Sequence, residues 1–289
     1  MNSKDKRFIS KLTAKTVRRV AVFAIVTVTA LSTAHAQTSS WYVEIGAGPT
    51  FSNELSQAGF NFDTFCYPGW VGCEPGDGYR WYYQVPTDAG FAFRVGTGRE
   101  QGSLRIDANV KYSTQNLEQV FTQITFLDGS VVPPSDPSSG VQSMAIITIG
   151  QLRVFSFRLN TFLSLLPETR MLRPYIGVGG GAARGTITDV YYEDHYSCAG
   201  PPCKGDLSSY DSLQDEDLSD IVLLAVGHAG FEYALTNKIL AGVRISYTLL
   251  QNITSEGVYI KHKIPNLTNS TTFSEANLTT VMATVRYRL

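Results

Sequence analysis

Leu278-Thr-Thr-Val-Met-Ala-Thr-Val-Arg-Tyr-Arg-Leu289 reads as a strand whose two faces ask for opposite surroundings. Val281, Ala283, Val285, Tyr287 and Leu289 share one parity; Thr280, Met282, Thr284, Arg286 and Arg288 share the other. Side chains alternate across a strand, so one face is apolar and the other carries hydroxyls and guanidinium groups. One such strand would be ordinary on a soluble sheet. Its repetition is not.

Outward from this stretch, the same alternation recurs over 41–51, 79–95, 104–112, 145–165, 173–183, 221–233 and 243–249. Leu104, Ile106, Ala108, Val110 and Tyr112 oppose Arg105, Asp107, Asn109 and Lys111. Val243, Ile245, Tyr247 and Leu249 oppose Arg244, Ser246 and Thr248. The weakest alternation lies in 221–233, where Val222, Leu224 and Val226 share the inward parity of His228 and Glu232. An apolar outside around a charged inside is the pattern of a β-barrel standing in a membrane. A soluble lipocalin-type barrel would invert it.

The connections agree. Links after the second, fourth and sixth predicted strands run to about five residues, and the others to roughly twenty or more, the asymmetry of outer-membrane barrels. The prediction is an all-β fold: an eight-stranded antiparallel up-and-down transmembrane β-barrel with long extracellular loops. Predicted strands three and four exceed the ~9–11 residues a bilayer demands, so their hairpin is expected to project above it. Tyr79, Trp81 and Tyr83 are expected to form part of an interfacial aromatic girdle.

Residues 1–36 read as a signal peptide, with a basic start, an apolar run over 20–31 and a small-x-small Ala34-His-Ala36 end. Residues 37–289 are then the barrel domain. Removing the leader takes seven cations and one anion, leaving 17 Lys+Arg against 24 Asp+Glu and a net charge near −7. That balance argues against nucleic acid as a partner. Cys66, Cys73, Cys198 and Cys203 would meet an oxidising compartment, which allows three disulfide connectivities. Their close spacings favour Cys66–Cys73 and Cys198–Cys203. Zinc is disfavoured because only His195 neighbours either pair, and no metal or cofactor is expected.

Lumen parity gathers Glu44, Arg94, Arg105, Asp107, Lys111, Arg158, His228, Glu232, Arg244, Arg286 and Arg288. Eight strands leave an interior just wide enough for side chains to fill, and unpaired charges there are costly. A salt-bridged plug is therefore favoured over a gated ion path. Arg173-Pro-Tyr-Ile-Gly-Val-Gly-Gly-Gly-Ala-Ala183 contains three consecutive glycines, which point to a bulge, a close approach or relief of crowding. A nucleotide loop is rejected because no helix pattern or Lys-Ser/Thr follows.

Outside the strands, Phe60, Phe62, Phe65, Tyr67 and Trp70 crowd the first cysteine pair as loop binding candidates. Rigid exposed aromatics suit an interface, and a loop mini-core is the equal alternative. The acidic third long loop, from Asp189 to Asp220, lacks EF-hand spacing and reads as solvated surface. His195-Tyr-Ser197 resembles the His-x-Ser of lipid A deacylases, but no glutamate in the next fifteen residues orients the histidine, so a lipid A-modifying enzyme stays the third and least favoured reading.

The 173–183 segment, with Gly230-Phe-Glu-Tyr-Ala-Leu-Thr-Asn-Lys-Ile-Leu-Ala-Gly-Val-Arg-Ile-Ser-Tyr247, resembles the "PY-x-G-x-G-x-G" strand and "G-x-E-Y-x-L-T" hairpin of outer-membrane protein A-like and opacity-type barrels. The resemblance implies a Gram-negative outer membrane, contact with its lipids and lipopolysaccharide, and insertion by the barrel-assembly machinery. One departure is Leu289, where the family usually ends on Phe or Trp. The expected function is a non-enzymatic surface protein for adhesion to host surface proteins or for envelope integrity. A narrow ion-conducting pore is the alternative.

Overall fold

The computed structural model describes residues 40–289 apart from Val71, Pro75, Pro134, Glu168 and Thr169. The expected leader, 1–36, lies outside the described residues. Eight strands close on themselves: β1 (Ser40–Ser52), β4 (Gly90–Gln101), β5 (Leu104–Asn116), β8 (Gln151–Ser164), β9 (Leu172–Cys198), β10 (Ser212–Ala234), β11 (Ile239–Leu250) and β14 (Leu278–Arg288). Each pairs antiparallel with the next in that order, and β14 returns to β1. This is the closed eight-stranded barrel that the alternation predicts.

Register explains why the wall is two-sided. Val43 stands opposite Tyr287 and Ile45 opposite Val285, while Glu44 stands opposite Arg286. Like faces therefore meet across every pair. Ile245 and Tyr247 are about half exposed, while Arg244 before them and Ser246 between them are buried. Trp41, Tyr233 and Tyr287 are exposed near one rim; Phe91, Tyr112, Phe155 and Tyr247 are exposed toward the other. Hydrocarbon is the solvent that such an exterior requires, and the chain is an outer-membrane β-barrel in architecture. On the side of the termini the turns are tight: Gly102, at φ 58°, takes the left-handed conformation that joins β4 to β5.

Predicted strand two is two strands. β3 (Tyr79–Val85) belongs to a second sheet, ordered β12 (Ile253–Val258), β13 (Thr268–Ser274), β2 (Leu55–Asn61), β3, β6 (Val120–Phe126). The odd-numbered residues face inward in β3 and outward in β4, so parity reverses across Pro86-Thr-Asp-Ala89. Tyr79 and Tyr83 are buried and are no lipid-facing girdle, while Arg80 lies on the outer face of the sheet rather than inside the barrel. The physical reason is solvent: β4 meets lipid, whereas β3 packs on a protein core above it.

Predicted strand four also divides, into β7 (Val141–Thr148) and β8. Gly150 marks the break, its N–H donating to Thr188 and its carbonyl accepting from Leu117, both at 2.9 Å. The tall hairpin is β9 with β10, of 27 and 23 residues, rather than the one between predicted strands three and four. At ~3.3 Å per residue β9 runs about 90 Å, far beyond an apolar band ~25 Å tall. Much of the third long loop is therefore paired ribbon, not solvated coil. β7 flanks its upper part from Tyr191 to Cys198, and Leu213 of β10 bridges Lys261 beyond β12.

The apolar core lies inside the wall where the two sheets meet. Leu55, Val85, Ile253 and Phe273 of the second sheet are fully buried with Leu152, Ile187 and Leu218 of the barrel's outer ends. Each such side chain contributes roughly 1.5–3 kcal/mol on burial. Val222, Leu224 and Val226, which weakened the alternation of β10, belong to this core.

Candidate functional site

Two places concentrate chemistry: the barrel lumen and the loop tip. Nearest the termini in the lumen, Glu100 pairs with Arg286 at 3.1 Å and Arg288 at 2.9 Å. Glu232 binds Arg105 at 2.6 Å and also accepts from Arg286. One step outward, Glu44 accepts from Arg94 and lies 2.8 Å from Arg244; Arg94 also donates to Asp107. All these groups are buried except Arg288, which is partly exposed.

Aromatic rings, which parity reasoning passed over, fill the spaces between the ions. The Arg105 guanidinium lies 4.4 Å from the Phe162 ring centroid and 4.8 Å from that of Tyr175. Arg244 lies 4.8 Å from Phe162 and donates through Nε to the Tyr175 hydroxyl at 3.0 Å. These cation–π contacts suit desolvated guanidinium groups. Glu100 lies beyond the predicted stretch 79–95, although carrying the parity of Arg94 six residues further would have found it.

Asp107 orders the next layer. It accepts from Asn109 at 3.0 Å and from Asn160 at 2.7 Å, which fixes the Asn160 amide. Asn160 Oδ1 then accepts from His228 Nε2 at 3.1 Å, leaving His228 Nδ1 to accept from Ser246 in the neutral ring. Lys111 donates to Thr280 at 2.6 Å, and Arg158 donates to Ser156 at 2.8 Å and Thr248 at 3.3 Å. The apolar core roofs this layer.

The tip joins three long loops. Asp63 is buried and accepts from Tyr67 at 2.5 Å and from the Phe65 backbone at 2.9 Å; His262 Nε2 lies 3.5 Å away. Burial pushes the Asp63 carboxyl upward, but the His262 and Tyr67 donors outweigh it and hold the group below the usual carboxylate range. Tyr67 stacks on Tyr196 with centroids 5.4 Å apart and lies 5.2 Å from Trp70. Lys261 bonds Asp211 at 2.8 Å, and the Lys263 ammonium sits 3.3 Å over the Tyr210 ring.

The loop candidates therefore divide. Tyr67 and Trp70 are half-buried in an aromatic cluster with Tyr79, while Phe62 and Phe65 are exposed and Phe60 packs edge-on to Phe62. Disulfides Cys66–Cys73 and Cys198–Cys203 are both formed. Asp63 and His262 were missed because nothing in their spacing announces a contact across almost 200 residues.

His195 is not without carboxylates, contrary to the sequence expectation. Its Nε2 lies 2.7 Å from Glu193 and its Nδ1 3.3 Å from Asp211. Hydrogen bonds that the ring donates to Asp211 and Glu193 raise its pKa above the ordinary imidazole value. Both ring nitrogens are engaged, so neither is placed to take a proton from Ser197.

No protein-family model matches the chain, and a search of curated proteins finds no match. Among solved structures it is similar to Neisserial surface protein A (NspA), at 12% identity and a TM-score of 0.38, covering 88% of this chain and 100% of that one. It is also similar to the outer membrane protein OprG from Pseudomonas aeruginosa, at 10% identity, a TM-score of 0.46 and coverage of 88% and 97%. A third similar structure is Ail, the attachment invasion locus protein of Yersinia pestis, in complex with the heparin analogue sucrose octasulfate; identity is 10%, TM-score 0.31 and coverage 86% and 99%.

Proposed function

We propose that this chain is a non-enzymatic surface protein of a Gram-negative outer membrane, exported by residues 1–36, whose tip recognises a host surface protein. The observation that carries the reading is the buried Asp63–Tyr67–His262 knot, which ties the first and fourth long loops while Tyr196 packs on it from the third. Such bracing holds the exposed Phe62, Phe65 and Ile260 on a stiff frame. Rigid aromatic anchors lose little entropy on binding, which favours recognition over a merely solvated loop.

The lumen supports a scaffold role. Its ions are interlocked below a dry core that includes Leu152, Val226 and Leu278, and a hydrated ion would have to cross that core. The pore reading predicts steady currents in planar bilayers that change in Glu232→Gln, and silence rejects it. The engaged nitrogens of His195 speak against lipid A hydrolysis, and unchanged lipid A mass on overproduction is the expected result. Lipopolysaccharide around the wall and the barrel-assembly machinery remain the partners proposed for the barrel itself.

The test is binding of the protein in lipid nanodiscs to host-cell surface proteins. Binding should fall at least tenfold in the Phe62→Ser, Ile260→Ser double variant, with barrel stability unchanged. No binding by the parent, together with a leaky envelope in a deletion strain, would replace this reading with an envelope-integrity role.

A further inference from the structure

The lumen charges balance in one layer, leave only the partly exposed Arg288 in excess nearest the termini, and go unanswered in the third. Arg94 and Arg244 face Glu44 and Asp107. Arg105, Arg286 and the partly exposed Arg288 face Glu100 and Glu232. Lys111 and Arg158 have no carboxylate in hydrogen-bonding or ion-pairing range among the described residues. Both are 2% exposed.

Their partners are hydroxyls alone. Lys111 reaches Thr280; Arg158 reaches Ser156 and Thr248, and its Nη2 has no partner among the described residues. Register brings the two together: Lys111 stands opposite Ser156 on β8, two residues from Arg158, and opposite Arg94 on β4. One lumen-facing step outward, Ala92, Val154, Val226 and Leu278 close most of the layer with apolar surface, with the buried Ser113 between Ala92 and Val154. Two desolvated cations beside one another, with no carboxylate in range among the described residues, cost several kcal/mol each.

We infer that Lys111 and Arg158 hold one small monovalent inorganic anion inside the barrel. The donor set fits that ligand: an ammonium, a free guanidinium N–H and hydroxyls able to turn their protons inward. A mostly apolar roof and an ion-paired floor favour a small inorganic ion over an organic ligand. The anion enters as the barrel assembles, offsets one of the two unanswered charges and stays as part of the structure.

Chloride is the probe. Urea unfolding and refolding of the full barrel in detergent, at constant ionic strength, compares chloride with bulky gluconate. Chloride at 0.1–0.2 M, about the physiological range, should lower the unfolding equilibrium constant about tenfold or more. Lys111→Met should abolish that difference, and Thr280→Val, which leaves both cations in place, should reduce it. A crystal grown with bromide should show its anomalous peak between Lys111 Nζ and the Arg158 guanidinium, a readout independent of whether any variant folds. Equal stability in the two salts overturns the proposal. So does a chloride effect that survives in folded Lys111→Met, or bromide found at exposed positions alone.

Discussion

Arg105 of β5 reaches across the lumen to Glu232 of β10, with Nη1 2.6 Å from Oε1 and a sequence separation of 127. Neither strand is the other's neighbour in the wall, so this bond braces the barrel from inside. Glu232 also holds Arg286 of β14. Glu232→Gln therefore leaves two guanidinium groups short of charge and should destabilise by about 3–5 kcal/mol. Urea unfolding of the barrel in detergent measures it. Arg105→Met combined with Glu232→Gln should cost clearly less than the sum of the single changes.

The glycine run in β9 gives a sharper contrast. A Cβ at Gly181 would stand 2.0 Å from the Phe157 carbonyl oxygen, while one at Gly180 meets nothing closer than 3.3 Å. Gly181→Ala should prevent refolding to the compact, heat-modifiable form. Gly180→Ala should refold, with stability within about 1 kcal/mol of the parent. Equal behaviour of the two variants on gels would remove close approach as the reason for this sequence.

His195 predicts a pH response at the tip. Its folded pKa is raised by Asp211 and then Glu193, so the stabilisation it gives is complete below the unfolded value of about 6.5. That contribution is lost as pH rises through the folded value. An NMR titration of the His195 ring should show a midpoint above about 6.5. Asp211→Asn should bring the midpoint down toward it.

Loss of the first disulfide should act locally. The Cys66–Cys73 bond closes a loop with a sequence separation of 7, for which chain entropy gives roughly 2–3 kcal/mol. The double change Cys66→Ser, Cys73→Ser should speed proteolysis around 66–73. The unfolding midpoint of the barrel should not move, because this disulfide closes within the loop and ties no barrel strand.

The barrel was legible in the sequence because two opposed solvents write a period of two into every wall strand. Arg244 between Val243 and Ile245 is the clearest instance. The second sheet was not legible. Its strands β2 and β13 pair Phe60 with Ser270, and no local period reports a partner so distant. Tyr79 and Tyr83 misled for a related reason: aromatic residues next to a membrane strand suit a girdle and a protein core equally. The lumen set was readable from parity, but Phe162 and Tyr175 were not, since an inward ring departs from the charged pattern.

The reversal of facing across Pro86-Thr-Asp-Ala89 separates two kinds of evolutionary freedom. Above it, side chains answer only to one another and to whatever they grip, so whole segments can be exchanged for new shapes. Below it, each position answers to lipid on one side and caged ions on the other. A lineage built on this plan can therefore redraw its outermost face while its anchorage stays still.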